Sequence, residues 1–257
     1  MQRWPVWPFW VSHFAAAQRL DFSKFGVSLP ITALFGELRV VPKKTILPMR
    51  LLNKVLITSF CLTASLSAQN MLQNEGFEKG MFSWGPWIPP ESVTHAPVIE
   101  IAKGSAHTGT SALRLSSTTN SRFAVGSYPS IPVVVAGKYR VSAWYRAEPG
   151  AVVQGGQPGF VMRLNFKQDD APPGTPHKHL YVGPSGAISK GIGRKLTVPT
   201  LPTEWTAVDV VVEVPAQSTS MFVTFFSWGL TGALLVDDVL VEKVADDVAP
   251  TALVGHE

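Results

Sequence analysis

A sugar ring presents flat C–H faces rimmed by hydroxyls, so a site that holds one joins an exposed aromatic plane to Asn, Gln, Arg, Asp or Glu groups. The sequence offers these types at period-two spacing. Read as a strand, Lys138 to Arg146 puts Tyr139, Val141, Ala143 and Tyr145 on one side and Arg140, Ser142, Trp144 and Arg146 on the other. Phe160 to Lys167 likewise sets Phe160, Met162, Leu164 and Phe166 against Val161, Arg163, Asn165 and Lys167. Trp144, Arg146, Arg163 and Asn165 thus supply a stacking indole with polar neighbours. They share one surface if the two strands lie in one sheet. For Trp144, packing under a loop is an equally good use of the ring.

Other aromatics are candidates of a second kind. Phe222, Thr224, Phe226 and Trp228 form a row if the even positions of that strand face outward, although packing under a loop is the expected role of Phe222 and Phe226. Trp84, Trp87 and Trp205 sit near strand starts, where large rings plug the ends of sandwiches. Trp87 is the exception among them, because Pro86, Pro89 and Pro90 mark an exposed loop from which it could stack a sugar at the rim.

Catalytic chemistry is poorly served. Glycoside hydrolysis needs two carboxylates about 5 to 10 Å apart. Asp209 and Glu213 share a face, but four residues of strand separate their backbones by about 13 Å. The sequence holds no nucleophile elbow, phosphate loop or zinc motif. His177 and His179, near Asp169 and Asp170, lack a Cys or a well-placed third His and read as a solvated loop. No enzyme is expected.

The elements that must position these residues are short apolar-alternating runs broken by Gly, Pro, Ser, Asn and Asp, with no long amphipathic helix from residue 69 onward. That pattern belongs to all-β sandwiches. Strands are expected at Val98 to Ala102, Ala112 to Ser116, Arg122 to Tyr128, Gly137 to Arg146, Phe160 to Lys167, Arg194 to Val198, Thr206 to Val214, Ser220 to Phe226 and Ala233 to Val241. Val208, Val210, Val212 and Val214 form a core row with Asp209 and Glu213 facing away, as in an antiparallel sheet wetted on one side. The Pro- and Gly-rich stretch 168 to 203 reads as a long surface excursion with a short strand at His179 to Val182.

Charge and targeting divide the chain. Of 22 Lys/Arg and 18 Asp/Glu, eight and two fall in residues 1–68, which leaves 14 and 16 from residue 69 on, a balance of −2. The basic character therefore belongs to the N-terminal part, and nucleic acid is not an expected partner. From Met49 the chain reads Met-Arg-Leu-Leu-Asn-Lys, then the apolar run Val55 to Leu66, then Ser67-Ala68-Gln69. This is the layout of a signal peptide, 49–68, cleaved after Ala68, with a buried N-terminal helix as the alternative. Residues 1–48 have no sustained period and are expected to be an irregular, non-native or disordered extension ahead of a true start at Met49. The single Cys61 lies inside the apolar run, so the mature chain has no disulfide and rests on its core. The expected organisation is a sandwich over 69–245 and a flexible tail over 246–257, secreted, periplasmic or on the cell surface, with no membrane span.

Several segments, in order, resemble the jelly-roll carbohydrate-binding modules of the cellulose- and xylan-binding group, families four, nine and twenty-two. These are Asn74-Glu75-Gly76-Phe77-Glu78 with Gly80 and Trp84, His107 to Leu113, Ala136 to Ala147, and Val236-Asp237-Asp238-Val239, with Trp205 opening the strand before the last. The stretch 168 to 203 is longer than in that group. The resemblance implies a two-sheet, galactose-binding-like jelly roll, a polysaccharide or other glycan as partner, and a separate glycanase or envelope protein nearby. It also implies a structural Ca2+ held by Glu78 and Asp238 with carbonyls near Gly109 and Thr110. The alternative is a structural or protein-interaction sandwich of the cell envelope that has lost its sugar site.

Overall fold

The computed structural model describes residues 69–255, apart from 94–96, 169 and 173. The proposed signal peptide and the extension 1–48 lie outside the described residues. These are β1 (Trp84–Trp87), α1 (Pro90–Val93), β2 (Val98–Lys103), β3 (Ser111–Ser127), β4 (Ile131–Pro132), β5 (Lys138–Ala147), β6 (Val152–Val153), β7 (Gly159–Lys167), β8 (Lys178–Val182), β9 (Ile188–Ser189), β10 (Thr206–Glu213) and β11 (Ser220–Lys243). The described residues are nearly all β, as the alternation requires. No helix among the described residues is long and apolar enough to cross a membrane.

Two strands expected in pieces are continuous. β3 covers Ala112–Ser116 and all of Arg122–Tyr128 but its last residue, and β11 covers both of the last expected strands. Each belongs to both layers of a sandwich. In the first layer β2 pairs with the start of β3, which pairs with the end of β11, then β5, then β10. In the second, β1 pairs with the end of β3, followed by the start of β11, β7, β8 and β9. β11 changes layer where its register against β3 slips, between Trp228 and Gly232. Gly229 and Gly232 take φ of 74° and 105° there, and a Cβ on Gly232 would come 2.7 Å from Ala151 Cα. Only glycine meets both demands.

The inner faces are those read from period two. Tyr139, Val141, Ala143 and Tyr145 of β5, Val208, Val210 and Val212 of β10, and Phe160, Met162, Leu164 and Phe166 of β7 all join one buried cluster. Phe77, Trp84 and Phe225 stack in its middle, with centroids 5.0 and 5.7 Å apart, which makes Trp84 the plug expected of it. Each such ring contributes about 1.5–3 kcal/mol by leaving water, and no disulfide is needed.

Three expectations are corrected. Arg194 to Val198 is not a strand; Arg194–Leu196 is a 3-10 turn. Gly191 and Gly193 break the chain ahead of it, and buried Leu196 is the single anchor a turn can supply. In the stretch 168 to 203 the short strand expected at His179 to Val182 is present as β8, but β9 follows it unexpectedly, and the two extend the second layer. The terminal segment, expected to fray, is tied down: Thr251 N donates to Val211 O and Val254 N to Ile188 O, at 2.8 and 2.7 Å.

Candidate functional site

The register of the second layer builds a site on its outer face. Gly85, Gly126, Thr224, Arg163 and Tyr181 occupy successive strands in one cross-strand row. The row on one side is Trp87, Ala124, Phe226 and Val161; on the other, Phe222, Asn165 and His179. Side chains in one row project to the same face as those two residues on, so two aromatic rows flank a row that begins with two glycines. The result is a groove running across the strands. Its walls rise at Trp87, Phe226 and Phe222, its floor is Gly85, Gly126 and Ala124, and Thr224 and Arg163 line it. It encloses a cavity of about 230 Å³.

The aromatics are held by one another. Trp87 is 38% exposed and meets Phe226 edge-on at 6.0 Å, while Phe226, 3% exposed, lies 5.9 Å from Trp228. The Arg122 guanidinium stands 4.7 Å over the Trp228 ring, and that of Arg163 stands 4.6 Å over Phe226. His177 packs edge-on against Phe222 at 5.8 Å, and His179 lies 6.2 Å from Tyr181. Burial, aided by the Arg163 charge, lowers the His179 imidazole from 6.5 to about 4, and burial lowers that of His177 as well. Both are therefore neutral at physiological pH. His179, on β8, belongs to the face, while His177 lies in the exposed loop before that strand, as expected of it.

The predicted site residues divide between the layers. β5 and β7 pair with different halves of β11, so Trp144 and Arg146 lie on the first layer, while Arg163 and Asn165 lie on the second with Trp87 and Trp228. Trp144 is half-buried on the outer side of its layer, with the His107 ring stacked on it at 3.9 Å and 14°. Trp205 meets His107 edge-on at 5.7 Å, and Arg146 lies over Trp205 at 5.3 Å. One indole face is thus already covered. Asn165 is sealed, with its Nδ2 donating to Thr224 Oγ1 at 2.9 Å, so it holds Thr224 instead of reaching outward.

Sequence reasoning undervalued Phe222 and Phe226 and missed Arg122, Tyr181 and the two glycines. Parity along Ser220 to Trp228 was the available signal, but alternation cannot say which of two largely apolar faces is inward. Met221, Val223 and Phe225 join the main core cluster, so the even positions face out.

The residues matching the calcium motif clasp the 107–111 loop. Thr110 N and Ser111 N donate to Glu78 Oε1 at 2.6 and 2.9 Å, and the Thr110 and Ser111 hydroxyls donate to Oε2. These bonds, those of Thr110 foremost, lower the Glu78 carboxyl to about 2. Asp238 accepts from Thr108 Oγ1 at 2.6 Å and faces His107 Nδ1 at 2.6 Å. Asp237 is fully buried and accepts from the His107, Thr108 and Asp238 amides; burial raises its carboxyl to about 6. The oxygen-only carboxylate and hydroxyl set suits a hard cation in type. Among the described residues, however, no three or more His, Cys, Asp and Glu side chains gather as a metal cluster, and each oxygen of Glu78 and Asp238 already faces a protein group.

No family profile matches the chain, and no curated protein does. Among solved structures it is similar to a family 16 carbohydrate-binding module, at 16% identity and TM-score 0.42 over 67% of this chain and 99% of that one. It is also similar to the family 61 module TmCBM61 in complex with β-1,4-galactotriose, at 17% identity and TM-score 0.41 over 69% and 100%. A third likeness is the C-terminal family 22 module of Clostridium thermocellum Xyn10B, at 13% identity and TM-score 0.45 over 68% and 94%. Family 22 is among the groups that the sequence motifs resemble; families 16 and 61 lie outside them.

Proposed function

We propose that this chain is an exported, non-catalytic carbohydrate-binding module that lays one polysaccharide chain in the groove across its second layer. The observation that carries the reading is the cross-strand register. It sets Gly85 and Gly126 between a row that holds Trp87, Ala124 and Phe226 on one side and Phe222 on the other. Glycines leave a floor on which a flat ring can sit, and the aromatic walls offer stacking surfaces for its C–H faces. Thr224 and Arg163 supply hydrogen bonds to hydroxyls. A separate glycanase that such a module would hold near its substrate belongs to the same proposal.

The test is affinity electrophoresis of the mature chain through gels containing soluble xylan, β-glucan, galactan and acidic polysaccharides in turn. Retardation by at least one polymer, lost in Trp87→Ala, is the expected result. Migration unchanged by every polymer would remove the proposal.

We also propose that the clasp around Asp237 and Asp238 takes a structural Ca2+. The support is the buried Asp237 carboxylate, whose charge a cation would offset, and the converging hard oxygens. Glu78 and Asp238 are the expected carboxylate ligands.

A further inference from the structure

The arginines of the sandwich are not treated alike. On the first layer, Arg114 lies between Glu100 and Glu148, with ion pairs of 2.7 and 2.8 Å, and Arg140 pairs with Asp209, while Arg146, over Trp205, leaves its Nε without a hydrogen-bond partner. Arg163, on the groove of the second layer, has no carboxylate partner among the described residues. Its Nε is buried and without a hydrogen-bond partner, its one polar side-chain contact among the described residues is with Tyr181, and its guanidinium rests 4.6 Å over the Phe226 ring. A half-buried cation with no counter-charge is costly unless a ligand supplies one.

Arg122, on the same face, disfavours the Arg163 charge further.

Resting on the glycan-binding reading above, we infer that the groove selects an acidic polysaccharide, with Arg163 pairing to the carboxylate of a uronate ring that stacks between Trp87 and Phe222. A guanidinium matches a planar carboxylate by two parallel hydrogen bonds, which fixes the sugar's orientation as well as its charge. Phe226 beneath the guanidinium holds its plane. A neutral sugar would leave the charge uncompensated.

The experiment compares matched polymers. Polygalacturonate, alginate, hyaluronate and glucuronoxylan are each presented beside their own carboxyl-reduced forms, with neutral β-glucan and dextran sulfate as further arms, and affinity is measured by electrophoretic retardation. At least one uronate polymer should bind about tenfold or more tightly than its reduced form, the scale of one charge-assisted hydrogen-bond pair. Arg163→Gln should abolish that preference, weakening the acidic polymer about tenfold more than its reduced form, and Arg163→Lys should keep part of it. If Arg163→Gln does not fold, the wild-type preference should still collapse between low and high salt. Equal binding of acidic and reduced forms, or a preference for dextran sulfate over every uronate polymer, overturns the inference and leaves the glycan-binding reading standing. Binding to no polymer of either kind overturns both.

Discussion

Trp87→Ala separates recognition from folding better than any other change in the groove. Phe226 is 3% exposed, so truncating it opens a cavity and costs about 3–5 kcal/mol of stability, which would confound any binding assay. Trp87 is 38% exposed and its fixed contacts are one edge-on ring at 6.0 Å and a shared guanidinium at 5.8 Å. Losing them costs the fold about 1 kcal/mol, while losing a stacking surface at the groove wall costs about 2 kcal/mol of binding. At 1.4 kcal/mol per decade, the dissociation constant should rise about 30-fold. Calorimetric titration with an oligosaccharide cut from the retained polymer reads this directly, beside a melting curve for each protein. An affinity within threefold of wild type, in a variant that melts normally, would falsify the assignment of Trp87 to the groove.

Three further outcomes follow from the same geometry. Gly126→Leu fills the groove floor where a Cβ meets Thr224 Oγ1 at an ordinary 3.4 Å, so binding should fall at least about tenfold with little change in melting; retained binding would place the ligand elsewhere. The unfolded chain protonates His179 near 6.5 and the folded chain near 4, so acidification through that window lets the unfolded state take up a proton the folded state refuses, and stability falls. Discounted for the half exposure of the ring, the loss is about 1–2 kcal/mol. Asp237, raised by burial to about 6, acts in the opposite sense, so the reading is the difference from His179→Gln between pH 7 and 4.5; identical acid sensitivity in both proteins would contradict it. Chelation by EDTA should lower the melting temperature if Ca2+ sits at the clasp; a chelator-insensitive melt would remove the calcium proposal.

The inner surface was legible in the sequence because period two leaves no choice once one face is rich in Val, Leu and Phe. Tyr139 to Tyr145 and Val208 to Val214 could be assigned from alternation alone. The groove was not legible, for two physical reasons. Layer membership depends on pairing across long sequence separations, and β5 and β7 carry similar patterns although β11 hands one to each layer. The outer face of β7 is moreover itself covered: Val161 and Asn165 are fully buried, so polar and apolar no longer mean out and in there. Gly85 and Gly126 matter only through their opposition across β1 and β3, which no local pattern encodes.

The five tryptophans from residue 69 onward, Trp84, Trp87, Trp144, Trp205 and Trp228, provide the most direct test, because each indole N–H reports its own surroundings in a heteronuclear NMR titration. With an oligosaccharide from the retained polymer, the resonances of Trp87 and Trp228 should move in step with saturation. Those of Trp144 and Trp205, on the opposite layer beside His107, should stay in place. Movement confined to Trp144 and Trp205 would put the ligand on the wrong sheet and contradict the groove as the recognition surface.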